Sequence, residues 1–310
     1  MSFNPGLINI GHLSTVYHTS FILMGTDWLT NSGINTRWHL FASGPDIVNA
    51  LETEKLDIGY IGLPPAMIGI DRGVPIICVA GGHVEGTVLI GQKNYGTLGE
   101  LGDFKSVLAQ FKGKVIGSPP KGSIHDVIIN NALKEAAFTD ITVRNFAWTD
   151  FVLEALADGE IDAAVGTPPL SVAAGRACGA KIIIPPDKLW KDNPSYGIVI
   201  RKELLEYPDV VLNFLKVHER ASNFIREKPN ESAAIVSNLS GIVDREFVLD
   251  SYRVSPKYCA ALSEGFVEST MAFVPVLHDL GYISRKLREE EIFEYRFIKK
   301  VHREKPHYNI

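Results

Sequence analysis

The chain has 310 residues, 45% of them hydrophobic, enough for one large core or two domains of common size. A net charge of −5 argues against a nucleic-acid partner, which needs a basic surface. The three cysteines, Cys78, Cys178 and Cys259, cannot all pair internally and none sits at metal-ligand spacing, so neither a disulfide framework nor a cysteine metal site is expected.

At the start, Leu7-Ile8-Asn9-Ile10-Gly11 reads as a buried strand and His12-Leu13-Ser14 as the turn after it. Ser14 is placed as N-cap of a helix over residues 15–30, closed by Asn31-Ser32-Gly33. Residues 35–41 form a second strand, and Ser43-Gly44-Pro45-Asp46 opens a helix with proline in its first turn. The next unit occurs twice. Ala50-Leu51 leads through Asp57 into Ile58-Gly59-Tyr60-Ile61 and the double proline Pro64-Pro65. About a hundred residues on, Ala155-Leu156 leads through Asp162 into Ala163-Ala164-Val165-Gly166 and Pro168-Pro169. In each copy a short helix follows, ends near Gly73 or Gly179, and gives way to an apolar strand, 76–79 or 181–184. The β-α alternation calls for parallel sheets with helices on both faces, and the repeat for two similar lobes with a ligand between them.

Between the copies, residues 87–90, 114–117 and 141–146 read as strands. Ser123-Ile124-His125-Asp126 reads as a capping-box variant, and Thr149 as the cap of the helix entering the second copy. Residues 196–200 form one more strand. From Lys202 onward the periodicity is helical, with helices over 209–227, 231–239, 244–252, 263–280 and 288–302. This places lobe one at 1–91 with 198–310, lobe two at 92–197, and hinge strands near 86–92 and 195–200. Lys299, Lys300, Arg303 and Lys305 alternate with acidic and aromatic residues and read as a solvated helix face. The apolar runs are strand-sized, short of the roughly 20 residues a membrane span needs. The N-terminus shows no basic start and no long apolar segment. The protein is therefore cytoplasmic if this is its true beginning, and periplasmic or cell-surface if an export signal has been removed.

Several segments together, in order and spacing, resemble a known family: Gly11-His12-Leu13-Ser14-Thr15, Ala50-Leu51 to Asp57-Ile58-Gly59, Phe111-Lys112-Gly113-Lys114-Val115-Ile116-Gly117, the second Ala155-Leu156 copy, and Asp279-Leu280-Gly281-Tyr282-Ile283. The chain is similar to the solute-binding proteins of ABC importers for nitrate, sulfonate, taurine and pyrimidine precursors. That resemblance implies a two-lobed periplasmic-binding-protein-like α/β fold of type II kind, each lobe a mainly parallel sheet flanked by helices, with a helical C-terminal tail. It implies a monomer that captures a small anionic or heterocyclic ligand, closes about a hinge and docks on an ABC permease. An enzyme on the same scaffold, acting on a pyrimidine or quinone precursor, is the alternative; the cysteine-rich motif of the pyrimidine-precursor synthases is missing. A cytoplasmic ligand sensor is a third reading.

In parallel α/β sheets ligands sit beyond the carboxyl ends of the strands. That rule selects His12, Ser14 and Thr15, then Gly62, Leu63 and Pro64, then His83 in lobe one. In lobe two it selects Ser118, Gly122, Ser123 and His125, then Trp148, then Thr167 and Pro168. Tyr196, at a lobe crossing, either stacks on a flat ligand or packs the hinge. Ser14 and Ser123 are read as helix caps whose N-termini also suit an anion. His12, His83 and His125 either hold an anion in protonated form or are structural; no His-x-x-x-His or Glu-x-x-His pair lies on a predicted helix, so no metal and no cofactor is expected. Phosphate-loop, nucleophile-elbow and dinucleotide signatures are missing from the sequence, so no catalytic residue is assigned. Asp57 and Asp162 fall at strand starts, the wrong end for catalysis, and read as structural turn residues.

Overall fold

A computed structural model describes residues 6–308. The first sheet is built from β1 (Ile8–His12), β2 (Thr36–Leu40), β3 (Ile58–Ile61) and β4 (Ile76–Val84), linked by the short helices α1 (Ser20–Met24) and α2 (Trp28–Asn31), then α3 (Gly44–Glu52) and α4 (Leu63–Asp71). The chain then enters a second sheet with β5 (Val88–Gly91), and passes through α5 (Leu98–Leu101), α6 (Phe104–Ala109), β6 (Val115–Ser118) and α7 (Ile124–Glu135). It continues through β7 (Thr142–Asn145), α8 (Thr149–Ala157), β8 (Ala163–Gly166), α9 (Pro168–Cys178) and β9 (Lys181–Ile184). After α10 (Pro186–Leu189) it returns to the first sheet as β10 (Pro194–Arg201). A 3-10 turn and the helices α11 (Pro208–Glu227), α12 (Pro229–Ser240), α13 (Arg245–Val254), α14 (Glu264–Asp279), α15 (Glu289–Ile292) and α16 (Ile298–Val301) complete it.

The two sheets have the same plan, β2-β1-β3-β10-β4 and β7-β6-β8-β5-β9. In each, four strands run in one direction and one, arriving from the other sheet, runs antiparallel between β3 and β4 or between β8 and β9. The sheets are therefore mixed, flanked by helices, with a helical C-terminal segment. The repeat is equally visible at single residues. Asp57 and Asn9 exchange backbone contacts, Asp57 N–H to Asn9 O at 2.9 Å and Asn9 N–H to Asp57 Oδ2 at 2.7 Å. Asp162 does the same with Val115, at 2.9 and 3.1 Å. Each aspartate thus locks its strand to the neighbouring parallel strand, β3 to β1 and β8 to β6, the structural role the sequence assigns it. Gly73 and Gly179 both have positive φ (+90° and +69°), which ends the repeated helix without a Cβ penalty.

Residues 88–91 pair within the second sheet and 194–201 within the first, so the chain crosses between sheets just before each of these segments. The two crossings touch. Glu85, buried and at φ +61°, donates its N–H to Asn193 O (2.8 Å), accepts from Asp192 N–H (3.1 Å), and pairs with Lys257 (2.8 Å).

Three sequence expectations need correction. The helix over 15–30 is two short helices, α1 and α2, preceded by a non-helical stretch. Thr19 is held by Tyr196 Oη (3.2 Å) and His218 Nδ1 (3.1 Å), and α1 ends at Gly25, where a Cβ would collide with Ile235 of α12. Ser14 accordingly caps no helix. Thr149 is the first residue of α8 rather than its cap, a position taken by Trp148. The helix over 288–302 is broken between α15 and α16, because Phe293 and Glu294 run as a strand-like bridge against Cys78, with Glu294 N–H on Cys78 O at 2.9 Å. Among the described residues, no helix is long and apolar enough to cross a membrane.

Candidate ligand site between the sheets

Loops following β1, β2, β3, β6, β7 and β8 face one another around a cavity of about 50 Å³. Five helices begin there: α3 at Ser43 and Gly44, α4 at Gly62, α7 at Ser123 and Ile124, α8 at Thr149, and α9 at Thr167. Two of these helices belong to the first sheet and three to the second. Each N-terminus presents unpaired N–H groups and the positive end of its dipole. The donors are unevenly distributed. Pro64 and Pro65 in α4, and Pro168 and Pro169 in α9, have no N–H to offer. In α7, Ser123 Oγ accepts only the Asp126 N–H (3.3 Å), which leaves the first-turn N–H groups of Ile124 and His125 for a ligand. The Asp126 carboxylate shapes the loop before α7: it accepts from Gly122 N–H (2.9 Å), Asn145 Nδ2 (2.8 Å) and the Tyr282 hydroxyl.

Among the described residues lining this cavity there is no Lys, Arg, Asp or Glu. Two of its polar atoms, Thr15 Oγ1 and His18 Nδ1, are buried without a hydrogen-bond partner in the protein, an arrangement that costs about 1–3 kcal/mol each unless a ligand or water satisfies it. Burial pushes the His125 imidazole down to about 4, and His125 Nδ1 sits 3.0 Å from Thr87 Oγ1. His18 is pushed well below the ordinary histidine range by burial and then by the neighbouring His83, His12 and His125. Burial thus disfavours the charged form of both rings, which weighs against the reading in which His125 holds an anion in protonated form.

Of the residues selected from sequence, Ser14, Thr15, Gly62, Ser123, His125 and Thr167 line the cavity. The others do not. His12 lies behind Leu13, its Nδ1 3.0 Å from Leu13 O, packed edge-on against Phe21 and Trp38. Leu63 and Pro64 are buried in the α4 terminus, where Pro65 reaches the cavity instead. His83 is fully buried in β4, between Ser195 Oγ (3.0 Å) and Ser255 O (2.8 Å). Ser118 is buried at the end of β6 with an unpartnered Oγ. Gly122, at φ +81°, lines a separate cavity with Tyr282. Trp148 is half-buried at the α8 cap, and Pro168 is buried as the first residue of α9. Tyr196 is fully buried with its ring 4.1 Å from that of His18.

Residues the sequence did not select also line the cavity: Tyr17, His18, Ser43, Pro119, Thr149 and Ser195 among them. Ser43 and Thr149 follow strands and obey the carboxyl-end rule; they were read only as caps. Tyr17 and His18 were hidden by the helix assigned over them. Ser195 opens β10, and because β10 runs antiparallel it is the amino end of that strand that reaches the site.

A second cavity, of about 130 Å³, shares Ser14, Thr15, Thr149 and Thr167 with the first. Most of its remaining wall is apolar, with Val16, Leu153, Leu170, Val243, Phe247 and Ile242, the last 90% exposed, and it also carries the Asp150 carboxylate.

The NMT1-like family model matches residues 4–240. The chain belongs to the NMT1-like family. This NMT1-like chain is 25% identical over 280 residues to a Bacillus subtilis (strain 168) protein named for aliphatic sulfonate binding, covering 89% of this chain and 81% of that one. Its fold matches the ligand-binding component of an ABC-type import system from Staphylococcus aureus with zinc bound, at TM-score 0.80 and 19% identity over 96% of this chain and 99% of the other. It also matches the alkanesulfonate-binding protein SsuA from Xanthomonas axonopodis pv. citri bound to MOPS, at TM-score 0.78 and 16% identity over 94% and 99%. The expected resemblance to ABC-importer solute-binding proteins of the nitrate and sulfonate kind holds, in family and in fold.

Proposed function

We propose that the protein is a solute-binding protein that holds a small anion with a short aliphatic tail between its two sheets and presents it, as a monomer, to an ABC permease. The convergence of five helix N-termini from both sheets on one uncharged cavity carries this reading. Fixed dipoles and neutral donors suit a tetrahedral or planar oxyanion, and the unpartnered Thr15 Oγ1 and His18 Nδ1 supply further contacts. The small volume favours a single head group over a flat heterocycle, since pockets for drug-sized ligands run to about 300 Å³ or more. The apolar side chains of the adjoining cavity, Val16, Leu153, Leu170 and Phe247 among them, suit an alkyl chain, and Asp150 there leaves no place for a second anionic group. The relatives named for aliphatic sulfonate and alkanesulfonate binding support a sulfonate head group. The sheets act as lobes one and two, and the touching crossings around Glu85 and Asn193 act as the hinge.

Calorimetry with alkanesulfonates of increasing chain length tests this. Affinity is expected to rise from methanesulfonate to butanesulfonate by roughly 0.8 kcal/mol per buried methylene. Ser123→Ala, Thr167→Ala and Ser14→Ala are each expected to weaken binding roughly ten- to a hundredfold, the loss of one hydrogen bond to a charged ligand. Full affinity in both second-sheet variants would remove the site from this cavity.

A further inference from the structure

A second group of side chains, at the C-terminal tail, plays no part in the cleft. Cys259 lies in the segment between α13 and α14, while His302 and His307 follow α16. Cys259 Sγ is 3.9 Å from His302 Nε2 and 3.8 Å from His307 Nδ1, and the three atoms lie within 4.8 Å of one another. We propose that Cys259 Sγ, His302 Nε2 and His307 Nδ1 form a binding site for one divalent transition-metal ion of the zinc type, with a fourth position for water or an exogenous ligand.

The spacing fits. With Zn–S near 2.3 Å and Zn–N near 2.0–2.1 Å, a tetrahedral S···N edge is roughly 3.6 Å, so the observed separations close by a few tenths of an ångström. The outer partners fit as well. His302 Nδ1 is 2.8 Å from Glu219 Oε1, and His307 Nε2 is 3.4 Å from Glu304 Oε1. The Glu219 carboxylate accepts the proton on His302 Nδ1, which leaves the lone pair of Nε2 facing Cys259, while Glu304 sits beside His307 Nε2 as an ion-pair partner and the Nδ1 lone pair of that ring faces the same sulfur. Carboxylate–histidine pairs of this kind orient metal-ligating imidazoles. A thiol has one proton and can satisfy only one of those lone pairs; a cation satisfies both. The sulfur also accepts backbone N–H groups from His307 (3.3 Å) and Ala261 (3.5 Å), which fix its position between the two rings. Glu219 Oε2 is buried without a partner beside the same site.

The frame is held in place. The Tyr308 hydroxyl donates to Cys259 O (2.6 Å), which seats the tail, and Cys259 N–H donates to Gly82 O (3.2 Å) in β4. Glu304 and His307 line a cavity of about 820 Å³ that gives an ion a route in. Cys259 is fully buried and is not among that cavity's lining residues, which favours a metal ligand over a nucleophile in a Cys–His–Glu relay.

Titration of the chelator-treated full chain with Co²⁺ reads the site. One equivalent is expected to bind with a thiolate-to-cobalt charge-transfer band in the near ultraviolet and tetrahedral d–d bands in the visible, and Zn²⁺ is expected to displace it. Cys259→Ser is expected to remove the charge-transfer band. Glu304→Gln alters an exposed side chain with no core role; it is expected to keep the band and weaken binding roughly ten- to a hundredfold. A folded wild-type chain that gives no charge-transfer band, a band that survives in Cys259→Ser, or unchanged affinity in Glu304→Gln overturns the assignment.

Discussion

His125, His83 and His218 are each buried and pushed down to about 4 from an ordinary 6.5, with burial the largest cause. The ring nitrogens of His83 and His218 meet Ser195, Ser255 O, Thr19 and Gly81 O, and the two carbonyls favour the charged form, but the loss of solvent outweighs them. The linkage has a definite sign. Between pH 6.5 and about 4 the unfolded chain takes up protons that the folded chain refuses, so stability falls as pH falls through that window and is highest above 6.5. Each of these histidines contributes on the order of a few kcal/mol of pH dependence. Urea midpoints measured from pH 7.5 to 4.5 are expected to drop, and less steeply in His125→Gln, which keeps an amide donor in place. Affinity for an alkanesulfonate is expected to stay flat between pH 6 and 8, because neutral rings and backbone dipoles hold it. A rise toward pH 5.5 would instead put a charged histidine at the anion.

At the scale of elements, the first turn of α7 offers more N–H groups than those of α4 and α9, each of which carries two prolines. Ser123 has two possible functions there, capping and ligand contact, and two substitutions separate them. Ser123→Ala costs about 0.5–2 kcal/mol of stability through the lost cap, while Ser123→Gly costs only a few tenths. Both are expected to lose alkanesulfonate affinity equally, since both lack the hydroxyl. An affinity loss that follows stability instead would make Ser123 a cap alone. The packing of β4 on β10 is the second sensitive element. A Cβ at Gly82 would overlap the Tyr196 ring, which is fully buried between His18 and Tyr60. Gly82→Ala is expected to lower stability by about 1–3 kcal/mol by overpacking, measured as a shift of the thermal midpoint.

Over the whole molecule, the C-terminal helices touch both sheets' layers. Helix α14 packs on α4 and on α7, α13 packs on α9, and Arg176 of α9 pairs with Asp244 at 2.6 Å. Tyr282, just past α14, bonds Asp126 of α7. In the hinge motion proposed above, opening of the cleft breaks or slides these contacts, and they oppose it. X-ray scattering is expected to show a smaller radius of gyration with saturating alkanesulfonate than without, and a larger difference in Tyr282→Phe, whose unliganded form opens further. Ligand at a hundred times its dissociation constant is expected to add about 2.7 kcal/mol to stability. An unchanged profile with a confirmed ligand would mean that the cleft is already closed before binding.

The repeat, the strand-to-helix turns, the double prolines and the helical tail were legible in the sequence because they rest on local chemistry: apolar periodicity, caps, and aspartates at strand starts. Those local rules also brought Ser14, Thr15, Gly62, Ser123, His125 and Thr167 to one cavity, since the carboxyl ends of parallel strands must share an edge. What only the tertiary structure decided are the features made by distant segments. Strand β10 returns antiparallel and places Ser195 at the site with its amino end. Contacts from Tyr196 and His218 to Thr19 hold residues 15–19 out of the helix their spacing suggests, freeing Tyr17 and His18 for the cavity. Burial, which no spacing reveals, pushes His83, His125 and His218 below the ordinary histidine range. Cys259 meets His302 and His307 across 43 and 48 residues, a separation that no ligand-spacing motif encodes.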